Sequence, residues 1–303
     1  MSEEGRGEGL GREEGFPLDA PQFVVSTALV VFLVLSGSAL LGLLVLQSGI
    51  ASSLGAFYAE GDTPLGAAIN SLFFLILVLA GAALLLALAR KKRLDILHLV
   101  LAVAIFVSYW GILEIYASAL VSGEELYALM DVLSLTVAAL TAVLVVKPLN
   151  LTLLSVLLLL YGMMAGPLFT AMLTPLSTIA VSITLAAYDA YSVTRGPLKK
   201  FLETVSGQPG SGAPSREPLR GAVVHIGPLS LGMGDVLVYS MLSPVFLATP
   251  SFSPARWLAC SAALLLGFLA TLQMLRCRRY MPALPLPVAF SLATYAVCYL
   301  LGL

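Results

Sequence analysis

Charge is what this sequence lacks. Only 11% of its 303 residues are Asp, Glu, Lys or Arg, against about 25% in an ordinary soluble domain. With 59% hydrophobic residues, there are too few charges to solvate the surface of a soluble globule. The basic residues form no patch interleaved with aromatics, which leaves nucleic acid without support as a partner. Cysteine is scarce as well. Cys260, Cys277 and Cys298 are odd in number and match no metal-ligand spacing. They read as small apolar packing residues, and neither a metal nor a cofactor is expected. The first apolar run follows a polar stretch and shows no cleavage-site pattern, so it reads as a retained helix and not a signal peptide.

What is present in abundance is long apolar sequence. Nine apolar segments lie near 22–47, 65–89, 97–118, 128–146, 150–171, 174–194, 226–249, 255–276 and 280–302. Most approach the ~20 residues that span about 30 Å of hydrocarbon as a helix. The expected fold class is an all-α polytopic membrane protein with nine transmembrane helices. Residues 1–21 are rich in Gly and Glu and read as a disordered tail. Helices one to six occupy 22–194, and the loop 195–225 contains the Gly/Pro/Ser linker "SGQPGSGAPS", expected to be flexible. Helices seven to nine fill 226–303, which gives a six-plus-three arrangement. With nine crossings, every one of the 16 basic residues except Arg256 falls on the side of the N-terminus. The positive-inside rule then places the N-terminus and the 195–225 loop in the cytoplasm and the C-terminus outside, in a cell membrane.

Acids inside apolar runs are functional candidates by default. Glu114 and Asp131 sit near helix ends, with Glu124 and Glu125 in the intervening loop, and are assigned to the interface. Asp95 and His98 follow the basic run 90–93 and read as surface groups. Asn70 and Ser71 are suited to helix–helix hydrogen bonds, and "GMMAG" at 162–166 to close helix packing. The "NLT" at 150–152 has the form of a glycosylation sequon but falls on the cytoplasmic side. Two acids remain. Asp189 lies six residues before Arg195, roughly 9 Å along a helix. Asp235 is the only formal charge between Ile226 and Thr249. It is expected roughly 13 Å into a helix starting at Ile226. Both then lie in the cytoplasmic half of neighbouring helices.

Two carboxylates facing each other in low dielectric do not readily both ionise, and such a pair tends to hold one proton. That state suits water-mediated peptide hydrolysis. It equally suits a proton- or sodium-coupled transporter, and the acids alone do not choose between them. Gly232 and Gly234, in "GMGD", bear on the choice: they clear side chains from the backbone beside Asp235, which an extended peptide substrate needs and a single ion does not. In "MPALPLP", 281–287, Pro282, Pro285 and Pro287 forbid a regular helix. Non-helical backbone at membrane depth is tolerated only against protein or a water-filled cavity.

Taken together, "YD" at Tyr188–Asp189, "GMGD" at 232–235 and "PAL" at Pro282–Ala283–Leu284 resemble the three signatures of the presenilin and signal peptide peptidase family. They come in that family's order and on its sixth, seventh and ninth helices. The resemblance implies a GxGD intramembrane aspartyl protease with Asp189 and Asp235 as the catalytic pair. It implies supporting roles for Tyr188, Gly232, Gly234, Pro282, Ala283 and Leu284. Its substrates would be transmembrane helices of other proteins within the lipid bilayer, and a homo-oligomer is left open. The charge distribution matches the presenilin orientation, and the short 195–225 loop lacks the insert on which presenilins undergo self-cleavage. Those features suggest a simple prokaryotic, archaeal-type homologue acting without accessory subunits. The related prepilin peptidases carry a lysine shortly after the GxGD acid, where this chain has Val236, Leu237 and Val238.

Overall fold

A computed structural model describes residues 21–53, 62–90, 94–121, 123–194, 196, 220–226, 229–275 and 281–302. The expected disordered tail, the basic run 91–93, most of the 195–225 loop, Cys277 and the basic residues at 276–279 lie outside the described residues. Long stretches without charge have one self-sufficient solution in hydrocarbon, a helix that satisfies its own backbone. Nine long helices form among the described residues: α1 (Pro21–Gln47), α2 (Pro64–Arg90), α3 (Leu94–Leu120), α4 (Glu124–Val146), α5 (Leu151–Met172), α6 (Pro175–Thr194), α7 (Met233–Ala248), α8 (Pro254–Leu275) and α9 (Pro285–Leu300). Seven are long and apolar enough to cross a membrane, whereas α7 and α9 are shorter apolar helices.

The seventh and ninth segments depart most from expectation. Ile226 and residues 229–232 are not helix: Val223–Ile226 (β1) and Leu229–Gly232 (β2) pair as an antiparallel hairpin, Val224 opposite Leu231 and His225 opposite Ser230. The reason is local. Val223, Val224 and Ile226 are β-branched and fit a strand, and Gly227-Pro228 interrupts any helical ladder there. Asp235 is therefore not deep inside a helix but in the first turn of α7. The ninth helix begins at Pro285, where a missing N–H does no harm.

Helix α7 is the hub. Val236 and every residue from Val238 to Leu247 are buried, with α1, α5, α6 and α8 around them. Small side chains allow the approach. A Cβ on Gly162 would lie 2.7 Å from Val236 Cγ1, and one on Gly166 would lie 2.5 Å from the Ser240 carbonyl carbon, so "GMMAG" is a packing seam between α5 and α7. Hydroxyls tie the same contacts. Ser240 Oγ donates to the Gly162 carbonyl (2.8 Å), Ser243 Oγ to that of Leu35 (2.6 Å) and Thr170 Oγ1 to that of Met241 (2.8 Å). Helix α2 meets α6, with Asn70 Nδ2 donating to Ser177 Oγ at 2.9 Å. Ser71, by contrast, bonds within its own helix, to Ala67. Cys260 and Cys298 are buried free thiols.

Several polar residues have duties the sequence does not disclose. Glu124 and Glu125 occupy the first turn of α4 and not a loop, where acids suit the helix dipole. Glu114 accepts from Tyr127 (2.9 Å) and Asp131 from Trp110 (3.3 Å). Asn150 caps α5 by accepting from the Leu153 N–H. Asp95 is exposed as expected, but His98 is buried. Its Nδ1 lies 3.4 Å from Arg220 Nη2. Arg256 is fully buried and donates to the carbonyls of Phe246, Leu247 and Ser251 at the end of α7.

The packing seam is testable with two glycines. Gly166→Ala should lower the stability of the purified protein by about 1–3 kcal/mol through overpacking. Gly81→Ala, where a Cβ meets nothing within 4 Å, should leave it unchanged or slightly raised. Equal unfolding midpoints in detergent for the two variants would contradict the seam.

Candidate active site

The three sequence signatures converge on one cavity of about 550 Å³. Tyr188, Asp189, Gly232, Gly234, Asp235, Ala283 and Leu284 all line it, and Pro282 does not. The remaining walls are mostly apolar, from Phe74 and Val78 of α2 to Phe268 and Leu272 of α8, with Ser230 and Leu231 of β2 along one side.

Each carboxylate is fixed by backbone from a break in helical structure. The first turn of a helix has N–H groups without intrahelical acceptors. Asp235, at the third position of α7, accepts from the Gly232 N–H through Oδ2 at 3.2 Å, half of a capping box. Gly232 has no side chain to complete it. Asp189, near the end of α6, accepts from the Leu284 N–H through Oδ2 at 3.1 Å. Both carboxylates line the same cavity. Tyr239, one helical turn beyond Asp235, donates its hydroxyl to the Ala283 carbonyl at 3.1 Å. Its spacing in "GMGDVLVYS" put it on the Asp235 face, a signal available in the sequence and missed. Gly267 of α8 was not findable that way. A Cβ there would lie 2.7 Å from the Leu286 carbonyl oxygen, so this glycine lets the chain just beyond Leu284 lie against α8.

The two glycines beside Asp235 differ. A Cβ on Gly232 would lie 3.1 Å from Asp235 Oδ2, whereas one on Gly234 meets nothing within 4 Å. Gly232 thus makes room for the carboxylate itself, and Gly234 leaves open space in the cavity wall.

The hairpin has one edge covered by α5, and its other edge has no strand partner among the described residues. The Met233 N–H donates to the Ala222 carbonyl. By the alternation of antiparallel ladders, Leu231–Val224 and Leu229–Ile226 are then the hydrogen-bonded pairs. The polar backbone of Ser230 and Gly232 points away from β1. On the other edge, the His225 N–H is taken by Ser155 Oγ of α5 (3.0 Å). The hairpin's root is held by Arg220, whose Nε donates to the Val145 carbonyl (2.8 Å) and Nη2 to that of Val146 (3.3 Å). Gly221, with φ of 95°, makes the turn against the Val145 side chain.

No protein-family model matches the sequence, and neither does any curated protein. Among solved structures the chain is similar to a presenilin family intramembrane aspartate protease crystallised in a C222 space group, with a TM-score of 0.64 at 20% identity. That match covers 94% of this chain and all of the other. The P2 form gives a TM-score of 0.62 at 20% identity, over 94% of this chain and 98% of the other. The chain therefore has the fold of a presenilin-family intramembrane aspartate protease.

Arg220 is expected to set the order of the hairpin. Arg220→Ala removes charged hydrogen bonds worth about 1.5–3 kcal/mol each, and amide exchange across 223–232 should accelerate while that of α7 beyond Val238 holds. Unchanged exchange in the hairpin would show that β1 is held without Arg220.

Proposed function

We propose that the protein is an intramembrane aspartyl endopeptidase that hydrolyses peptide bonds within or near transmembrane helices of other proteins. The observation that carries this reading is the convergence of Asp189 and Asp235, each tied to a backbone N–H, on one apolar cavity. Apolar walls suit a substrate taken from lipid, and the acids supply what hydrolysis needs. One carboxylate takes a proton from water as its oxygen attacks the scissile carbonyl carbon, and the other acid gives its proton to the carbonyl oxygen. Collapse of the resulting diol breaks the C–N bond, and the departing nitrogen takes back a proton.

A substrate helix hides its carbonyls in its own hydrogen bonds, so it must unwind before water can attack. The outward-facing backbone of Ser230 offers an edge on which an unwound segment can pair as a strand, beside the open space at Gly234. In this reading Tyr188, Gly232 and the Pro282–Leu284 element support the acids as in the GxGD proteases, a group that includes signal peptide peptidases. The six-plus-three arrangement, with the N-terminus and the 195–225 loop cytoplasmic and the C-terminus outside, rests on the distribution of basic residues. Ion-coupled transport by the same acids gains nothing from the fold comparison.

A purified preparation mixed with a reporter carrying one transmembrane helix should yield fragments, and a transition-state analogue of aspartyl proteases should block them. Asp189→Asn and Asp235→Asn should each reduce cleavage about 1,000-fold or more with a nearly unchanged unfolding midpoint, since the amide oxygen still accepts from the Leu284 or Gly232 N–H. Substantial cleavage by either variant would refute the assignment. Gly234→Val fills space that is open in the resting protein, so it should lower kcat/KM by about 10-fold or more while stability is kept. Wild-type kcat/KM in that variant would rule out a substrate lying beside Gly234.

A further inference from the structure

A second cavity, of about 370 Å³, lies away from the acids, between α3 and α4. Its origin is a size mismatch. Ala102 and Ala142 are too small to fill the space between Leu99, Phe106 and Val146, so the two helices enclose a groove along their lipid-facing side. Leu99 and Val146 remain 55% and 41% exposed, so the groove is open to whatever surrounds the helices. One cation lines it. Lys147 follows the last residue of α4, is exposed, and has no ion-pair partner among the described residues. By chain order this end of α4 is on the same side as the α2–α3 connection, where the sequence carries four consecutive basic residues at 90–93.

We propose that this groove binds an anionic phospholipid, with an acyl chain along Ala102 and Ala142 and the phosphate at Lys147. A helix surface in hydrocarbon is covered by lipid in any case, and a groove one chain wide converts loose coverage into a site. The exposed ammonium at its mouth selects charge, since a basic residue at the surface favours anionic lipid. The long stem of Lys147 also allows its charge to reach the headgroup level. Nothing in this site depends on the chemistry at Asp189 and Asp235, so a failure of one reading leaves the other standing.

The test is retention of defined lipids by the full-length protein, read by native mass spectrometry after delipidation and addition of phosphatidylglycerol or phosphatidylcholine. Wild type should retain phosphatidylglycerol about fivefold over phosphatidylcholine, the preference expected for one basic residue. Lys147→Gln should abolish that preference. Ala142→Phe, which fills the groove, should reduce retention of both lipids. The Lys147 variant alters an exposed side chain and keeps the test valid even where Ala142→Phe unfolds the protein. Equal retention of the two lipids by wild type, or an undiminished preference in Lys147→Gln, would overturn the proposal.

Discussion

The architecture turns on two backbone N–H groups that no helix satisfies. In hydrocarbon an unpaired N–H costs several kcal/mol, and a chain that breaks its helices there must bring an acceptor to each break. Here the breaks precede α7 and α9, and the acceptors are Asp235 for Gly232 and Asp189 for Leu284. Each acid closes a gap in the backbone, and each gap supplies an open cavity wall and a donor to hold an acid. Neither part is stable without the other. The pairing crosses the fold, because the acceptor for the break before α9 lies on α6, while α7 caps its own beginning. Three helices are thereby drawn to one cavity.

Holding them there falls to packing, because lipid offers little hydrophobic drive for helix association. The answer is close approach through small residues with hydroxyls bridging the contacts. Gly162 and Gly166 admit α7 against α5, and Gly42 faces Pro244 on the side of α1. Ser240 and Ser243 donate to carbonyls of α5 and α1. On the far side Gly267 lets the chain after Leu284 lie on α8, which sets the height at which the Leu284 N–H meets Asp189. Tyr239 reaches from α7 to the Ala283 carbonyl and closes the circuit.

Much of this was legible in the chain. Uninterrupted apolar runs fix helices almost without ambiguity, so α1 to α6 and α8 lie close to their expected spans. The acids stood out because nothing else in their runs is charged. The seventh segment was misread because apolarity was allowed to outweigh Gly227-Pro228 and the β-branched residues before it, which together specify a hairpin. That error carried Asp235 too far into its helix, although Asp189 and Asp235 line one cavity all the same. His98 and Arg220 were hidden for a different reason. A buried cation is recognisable only from the carbonyls it meets, and those belong to α4, some 75 residues away in sequence.

The two buried arginines complete a single electrostatic scheme. A helix carries partial positive charge at its start and partial negative charge at its end. Asp235 sits in the first turn of α7, and Arg256 donates to the Phe246 and Leu247 carbonyls of its last turn. The central helix is thus tied at both ends, by an acceptor for the Gly232 N–H at its start and by a cation on its last carbonyls. Arg220 does the same for the end of α4, and through it fixes the root of the hairpin. Arg256 also faces the ring of Tyr295 on α9, 6.0 Å from its centre, which ties the far end of the helix that begins beside Leu284. An acid whose position must be held within a fraction of an ångström belongs on a rigid element. Asp235 is on the helix that this scheme fixes at both ends, and the hairpin beside it is anchored by the same device applied to α4.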